Sequence, residues 1–502
     1  MNLKLPSSYY NPLSLMGTGL ALISLLMMLF LTIIGFLYAE SSAYLGLFVF
    51  IVLPVFLIIG LLIIPVGMWI RIRKRKKMAS EDRIQKWPVV DLNLPRYRNA
   101  FVIFSIGTLF FLLLSGIGSY EAFHYTESVR FCGTVCHEVM KPEYTAYQNS
   151  PHARVACVDC HVGSGADWYM RSKLSGLRQV YAVLTDNFNR PIETPIQDLR
   201  PAQETCETCH WPQKFYSRQL RQTRHYLTDS LNSEWDISLQ MKIGPEHSAL
   251  GLSEGIHWHI NPDVKIEYIP RLKNREDIPW VKYTNLATGE VVVYQDQYDP
   301  LEEERVASSE ARLMDCMDCH NRPSHHYYTP QEFIDQAITA GSIPGDLPFI
   351  KKIAMELFVD PYDHSDTAIQ YIRERTLGFY AEELPAVLET RRNDVDKAIN
   401  GIIAAFSTNI FPEMGASWDT YTSHIGHKTY NGCFRCHNDQ HQSEDGRVIS
   451  MDCNLCHTIV RQGPPGSEQL AAFNSALDFV HPKELEDGWE GELCSDCHRY
   501  LY

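Results

Sequence analysis

FCGTVCHEVM, residues 131–140, runs on toward SPHARVACVDCHVG, residues 150–163, and each stretch holds two cysteines closed by a histidine. The same grouping recurs along the chain as Cys132/Cys136/His137, Cys157/Cys160/His161, Cys206/Cys209/His210, Cys316/Cys319/His320, Cys433/Cys436/His437, Cys453/Cys456/His457 and Cys494/Cys497/His498, which uses all 14 cysteines. Six groups read C-x-x-C-H and the first reads C-x-x-x-C-H. In that arrangement two thiols add to porphyrin vinyl groups and the next histidine ligates iron. A zinc knuckle or a redox disulfide explains a single C-x-x-C, but neither needs a histidine directly after the second cysteine every time. The expectation is seven covalently bound haems c on a multihaem cytochrome that is mostly α and irregular. Chain wrapped around cofactors needs few apolar side chains of its own.

The apolar residues lie instead at the N-terminus, in three runs: Leu13 to Tyr38, Tyr44 to Ile70 and Ala100 to Ser119. As helices, each spans about 30 Å of hydrocarbon, so three N-terminal transmembrane helices are predicted. Between the second and third, RIRKRKKMASEDRIQKWPVVDLNLPRYRN carries ten Lys or Arg against three acidic residues. An excess of basic residues marks a cytoplasmic loop, which sends everything after the third helix, and all seven motifs, into the periplasm of a bacterial inner-membrane protein. A cleaved leader is the alternative reading of the first run, since the small residues Ala39 to Ala43 follow it. No histidine precedes His124, so these helices lack the paired imidazoles that a haem inside the bilayer would use. Beyond residue 120 the chain has 34 basic and 56 acidic residues, a charge that favours either a basic partner or simple solubility.

The motifs are unevenly spaced, and the chain is divided accordingly: a membrane anchor (1–120), a segment with haems 1–3 (121–215), a small β insertion (216–300), a haem 4 segment (301–330), a helical spacer (331–420) and a C-terminal part with haems 5–7 (421–502). VKIEYI, WVKYTN and EVVVYQ, between Val264 and Gln295, supply the strand signals of the insertion. TPQEFIDQAITA opens the spacer with a Thr-Pro helix start.

Seven of the 20 histidines close motifs, which leaves 13 as second ligands. A haem used only for electron transfer takes two strong axial ligands. The candidates near motifs or in polar-aromatic settings are His152, His257, His259, His325, His326, His424, His427, His441 and His481. His124, His225, His247 and His364 lack such surroundings. Met140, three residues after His137, offers a thioether to the first iron, or else packs.

FCGTVCHEVM and SPHARVACVDCHVG, directly after a membrane helix, resemble the start of the NapC/NirT family of membrane-anchored multihaem quinol dehydrogenases, the family of NrfH. SKLSGLRQVYAVL, LRPAQETCETCHWPQKF, GIHWHI, MDCMDCHNRPSH and HIGHKTYNGCFRCH resemble the ImcH-type heptahaem inner-membrane cytochromes, a likeness covering most of the chain. The resemblance implies that menaquinol is oxidised at the periplasmic membrane surface near the first haem, with electrons passed to periplasmic c-type cytochromes. It implies Met140 as a ligand of haem 1, where His137 need not bind the iron, and His152 as the second ligand of a haem other than its sequence neighbour. It also implies Lys173 beside the quinol, with Asp167 as a proton acceptor or a member of a solvated helix face. Matched to the heptahaem group, the second ligands are His152, His259 or His257, His325, His427, His441 and His481. The four-haem relatives have one anchor helix where this chain has three.

Two other functions compete with quinol oxidation: a terminal reductase with an open haem, and a passive conduit without its own quinol site. The chain has no C-x-x-C-K motif, which removes the lysine-ligated haem of nitrite reductases.

Overall fold

The computed structural model describes residues 6–37, 52–78, 91–135, 137–196, 200–246, 254–483 and 491–499. Part of the basic loop, the start of the second apolar run, Cys136, the His137 side chain and His247 lie outside the described residues. The chain divides into two compact units, Met1–His137 and Glu138–Tyr502.

In the first unit the three apolar runs are helices: α1 (Pro12–Leu37), α2 (Leu53–Met78) and α3 (Pro95–Thr126). All three are long and apolar enough to cross a membrane. α1 and α2 pack on each other through small residues, the usual solution in lipid, where no hydrophobic force draws helices together and close backbone approach must do so. A Cβ at Gly60 would meet the Ala21 nitrogen at 2.7 Å, and one at Gly17 would meet the Gly60 carbonyl oxygen at 2.7 Å. The Ser14 hydroxyl donates to the Ile64 carbonyl at 2.8 Å. Pro65 sits inside α2, a position that lipid-embedded helices tolerate. At 32 residues α3 is about 48 Å long and buries none of its side chains. Directly after it, Ser128 caps α4 (Val129–Thr134), its hydroxyl accepting from the Phe131 amide at 3.1 Å, so Cys132 follows the third span within one helical turn.

The second unit begins with α5 (His137–Gln148), α6 (Cys157–His161), α7 (Ala166–Leu184) and α8 (Ala202–Cys206). Nine strands follow: β1 (Arg218–Tyr226), β2 (Glu234–Lys242), β3 (Val264–Ile269), β4 (Trp280–Asn285), β5 (Val291–Asp296), β6 (Arg312–Leu313), β7 (His441–Ser443), β8 (His457–Gly463) and β9 (Gln469–Leu470). They form two sheets, ordered β1-β2-β8-β9 and β6-β3-β4-β5-β7. The expected strands of the insertion are β3, β4 and β5. The four-stranded sheet was not foreseen, because β1 (RQLRQTRHY) and β2 (EWDISLQMK) show little apolar alternation and β8 arrives from far along the chain. It starts at the sixth motif's own histidine, with His457 opposite Met241.

The helical stretch α11 (Pro330–Thr339), α12 (Ile350–Glu356), α13 (Ser365–Glu382), α14 (Pro385–Thr390) and α15 (Arg392–Asn409) follows two short helices, α9 (Glu303–Ser308) and α10 (Cys316–Cys319). It holds the chain's main apolar core, where Ile334, Ile343, Leu347, Ile350, Ile372, Ile399 and Ile402 are buried. Thr329 and Glu332 close a reciprocal cap at the start of α11. The core is fastened to β1 by Asp335, which bonds His225 Nδ1 at 3.2 Å and the buried Lys351 ammonium at 2.6 Å.

Gly60→Leu should break the α1–α2 pairing, since its backbone neighbours have no room to yield, and lower the membrane-inserted, haem-stained protein several-fold. Gly107→Leu in α3, where nothing stands within 4 Å, should leave that level unchanged; immunoblots of membrane fractions compare the two.

Candidate haem sites

One turn of helix places residues i, i+3 and i+4 on one side, which is what a C-x-x-C-H group needs to present two thiols and an imidazole to one ring. α6, α10 and α16 (Cys494–His498) are such turns, and 3-10 turns serve at Gly432–Arg435 and Cys453–Leu455. Acidic side chains cap several of them: Asp315 accepts from the Met317 amide at 2.8 Å and Asp452 from the Asn454 amide at 2.9 Å.

The two cysteines of a motif are not equally placed. In α16, expected to carry haem 7, Cys494 is half-buried while Cys497 is exposed. The reason is local: Cys497 follows the exposed Asp496 near the C-terminal end of the turn, and Cys494 lies beside the buried Ser495. Cys160, Cys209, Cys433 and Cys453 are exposed in the same way. Five motifs therefore hold one thiol at the surface, which is compatible with a porphyrin edge lying against it and differs from the buried setting of a purely structural cysteine.

Each of the last six motif histidines faces a second imidazole. The ring centres are 6.2 Å apart for His161 and His325, 5.9 Å for His210 and His152, 6.4 Å for His320 and His257, 5.9 Å for His437 and His259, 6.1 Å for His457 and His427, and 6.1 Å for His498 and His481. A metal held between two imidazoles needs about 6 Å between ring centres: metal–nitrogen bonds of about 2 Å each, plus about 1 Å from each nitrogen to its own ring centre. The residues therefore fit an iron in a porphyrin at six positions.

In five of these rings the other nitrogen is tied down, while Nδ1 of His427 and of His457 is buried without a hydrogen-bond partner among the described residues. Nδ1 meets a backbone carbonyl in His152 (Pro323, 3.2 Å), His257 (Ile243, 2.9 Å), His259 (Ile256, 2.8 Å), His325 (Glu143, 3.0 Å) and His437 (Ser450, 2.9 Å). Donation from Nδ1 sets the tautomer with its lone pair on Nε2 and orients the ring. Burial lowers the pKa of His161, His257, His259, His320, His325 and His457, and brings His427 and His498 down to about 4. The rings are thus held neutral, the form that binds metal.

His441 departs from the expected ligand set. As the first residue of β7 its side chain is buried, with Nδ1 2.9 Å from the Asn438 side-chain oxygen and Nε2 2.6 Å from the Ile278 carbonyl. Its place is taken by the second histidine of GIHWHI. His257 and His259 are not alternatives; the single turn Ile256–Ile260 turns one toward His320 and the other toward His437. His424 resembles His441, with its nitrogens 3.1 Å from the Asp318 carbonyl and 3.2 Å from the Asn274 carbonyl. His326 packs edge-on against Tyr328. Met140 is half-buried in α5.

Successive motifs interlock through their sulfurs. Cys160 lies within electrostatic reach of Cys209, Cys206 hydrogen-bonds Cys316, Cys319 senses Cys433 and Cys436, Cys456 senses Cys433, and Cys494 senses both Cys453 and its own partner Cys497. Sulfurs alkylated by a porphyrin do not titrate, so the significance is proximity: motifs two to seven neighbour one another in chain order. The fourth and fifth are bolted together by residues inside the motifs, a role the spacing did not signal. The Asp318 carboxylate is buried and accepts from Tyr268 (2.6 Å), Arg275 (2.8 Å) and Arg312 (2.8 Å), while its carbonyl accepts from Arg435 of C-F-R-C-H at 2.8 Å.

The two quinol candidates lie on α7, where Asp167 is exposed and the Lys173 ammonium stands 5.0 Å over the Tyr169 ring. Six residues apart, they are separated by about 120° around the helix axis.

Residues 95–195 match the family model of the NapC/NirT cytochrome c family, N-terminal region. Over 499 residues the chain is 40% identical to the cytochrome c-type protein ImcH of Geobacter sulfurreducens, covering 99% of this chain and 97% of that one. The chain belongs to the ImcH-like cytochromes c of the NapC/NirT family. A shorter match, 29% identical over 115 residues, links this ImcH-like cytochrome to the cytochrome c-type protein NrfH of Wolinella succinogenes, covering 22% of this chain and 63% of that one. No solved structure matches the chain. The ImcH-like family and the three apolar helices make the protein a membrane-anchored cytochrome c.

His325→Leu should leave one iron without its second strong ligand and add a high-spin ferric signal to the EPR spectrum. His441→Gln, which keeps polar contacts in β7, should add none. Acid sensitivity has a separate source in His424: burial, with the Arg435 charge beside it, lowers its pKa to about 4, below the ordinary value of about 6.5. The unfolded chain then binds more protons between those values, so stability is full above about pH 6.5 and falls toward pH 4. Thermal unfolding followed between pH 7 and 4 should show this slope, reduced in His424→Gln.

Proposed function

We propose that this chain is an inner-membrane quinol dehydrogenase, its motif-bearing part in the periplasm, that passes electrons from menaquinol to periplasmic c-type cytochromes through seven covalently bound haems c. The observation that carries this reading is the run of histidine-paired positions in chain order, which begins at the second motif after a membrane span and continues to the seventh.

When bound, the haems supply one-electron redox centres; everything else falls to the chain's residues. The six imidazole pairs would hold the irons of haems 2 to 7 from two sides, and the carbonyls on Nδ1 of His152, His257, His259, His325 and His437 would keep those rings in place, so the irons would change little in geometry between oxidation states. The same pairs argue against a terminal reductase, which needs an open position. His152, His257, His259, His325, His427 and His481 are the proposed second ligands of haems 2 to 7, and Met140 or His137 serves haem 1. At the membrane side Lys173 donates to a quinol oxygen and holds it, and the Asp167 carboxylate takes the hydroxyl proton toward solvent. The acidic balance beyond residue 120 suits a basic cytochrome as acceptor.

Full-length protein in nanodiscs should be reduced by a menaquinol analogue, read as the rise of the reduced α-band. Lys173→Met should slow this about tenfold or more, the scale of a lost charge-assisted hydrogen bond, with dithionite still reducing every haem. Wild-type protein that dithionite reduces and the quinol analogue does not would leave the chain as a conduit only.

A further inference from the structure

α7 is amphipathic the wrong way round for a helix in water. Met170, Leu174, Leu177, Tyr181 and Leu184 recur at helical spacing, so they form one stripe along its length. All five point outward, 57% to 77% exposed. The opposite side carries Trp168, Ser172, Ser175, Gly176 and Val183, which are half-buried, so the side turned to the protein mixes small and polar residues with only two large apolar ones. A soluble protein that turned this helix by half a turn would bury the leucines and wet the serines. The stripe is flanked by cations, with Arg171 and Arg178 along one edge and Lys173 along the other, against Asp167 as the sole acidic residue of the helix. That local excess of positive charge lies in a part of the chain that is strongly acidic overall.

We propose that α7 is an interfacial helix that seats the haem-bearing unit on the bilayer, its apolar stripe among the acyl chains and its arginines on anionic headgroups. The chain is already anchored by three spans, so the lipid surface is present at high effective concentration. The composition fits that surface: leucines and an aromatic on one face, basic residues at its edges, buried about 5–10 Å into the headgroup boundary. Arg171 and Arg178 can run their aliphatic stems along the stripe with their guanidinium groups at the phosphates. An acidic domain would otherwise be repelled by an anionic leaflet, and the cations of α7 give it one attractive contact. This inference stands on the helix itself and does not need quinol oxidation to be right.

The test is photocrosslinking of full-length, haem-loaded protein in nanodiscs, with p-benzoylphenylalanine in place of Leu177 on the stripe, or of Gln179 on the opposite side. Lipid adducts read by mass spectrometry should form at 177 at least about fivefold more than at 179, and more in phosphatidylglycerol than in phosphatidylcholine discs. Arg171→Glu with Arg178→Glu should abolish that lipid preference, while the haem spectrum stays unchanged. Adducts from 177 to peptides of this chain or to haem would overturn the proposal, because the stripe would then be covered by the protein. So would equal lipid labelling at 177 and 179, or no lipid adduct at 177 while a probe in place of Leu109 of α3 labels lipid.

Discussion

Two imidazoles about 6 Å apart, with five of the rings turned by a hydrogen bond from Nδ1 to a backbone carbonyl, are the unit on which the second half of this molecule is built. Three of the six pairs join segments that are distant in sequence: His161 meets His325, His320 meets His257, and His437 meets His259. Each pair sets one imidazole against another with space for a metal between them, so the surroundings must be assembled from both sides at once. The sheets and the helical core serve this requirement. β8 begins at His457, the turn between β2 and β3 carries His257 and His259, and Pro323 and His325 follow the fourth motif within a few residues.

Polar clusters replace apolar packing where the motifs meet. Asp318 sits inside C-M-D-C-H, and with Arg275, Arg312 and Tyr268 it ties the fourth motif to the five-stranded sheet, while Arg435 ties it to the fifth. Removing one partner of such a buried ionic group leaves the others uncompensated at about 3–5 kcal/mol, so the arrangement is rigid although little of it is hydrophobic. The extended apolar core lies elsewhere, in the helices from Pro330 to Asn409, which hold no motif and dock on β1 through Asp335.

The membrane part follows a different rule. In water the exposed faces of α1, α2 and α3 would be a fault, but in lipid they are the solvated surface, and burial among the described residues is confined to a few positions such as Ser14, Ala21, Ser24, Leu53 and Leu57. α7 extends that rule past the spans, since its orientation is explained by lipid and not by water.

Features that depend on contiguous residues were legible beforehand: the C-x-x-C-H groups, because one helical turn must present thiols and imidazole together; the three apolar runs, because a span is a continuous length; and β3 to β5, because β-branched and aromatic residues cluster in them. The ligand pairing was legible only in part. His441 and His259 look alike in sequence, and what separates them is that β7 gives both nitrogens of His441 to Asn438 and Ile278, while a 3-10 turn leaves one nitrogen of His259 free of the backbone. The polar strands β1 and β2 gave no signal because they lack apolar alternation, and β8, which pairs with β2, lies more than 200 residues downstream. The sequence by itself determined the cofactor chemistry and the anchor, as both are written in adjacent residues. Which histidines face each other, and in what order the motifs touch, was decided by the tertiary structure, because a second imidazole can come from anywhere the folded backbone places one 6 Å away.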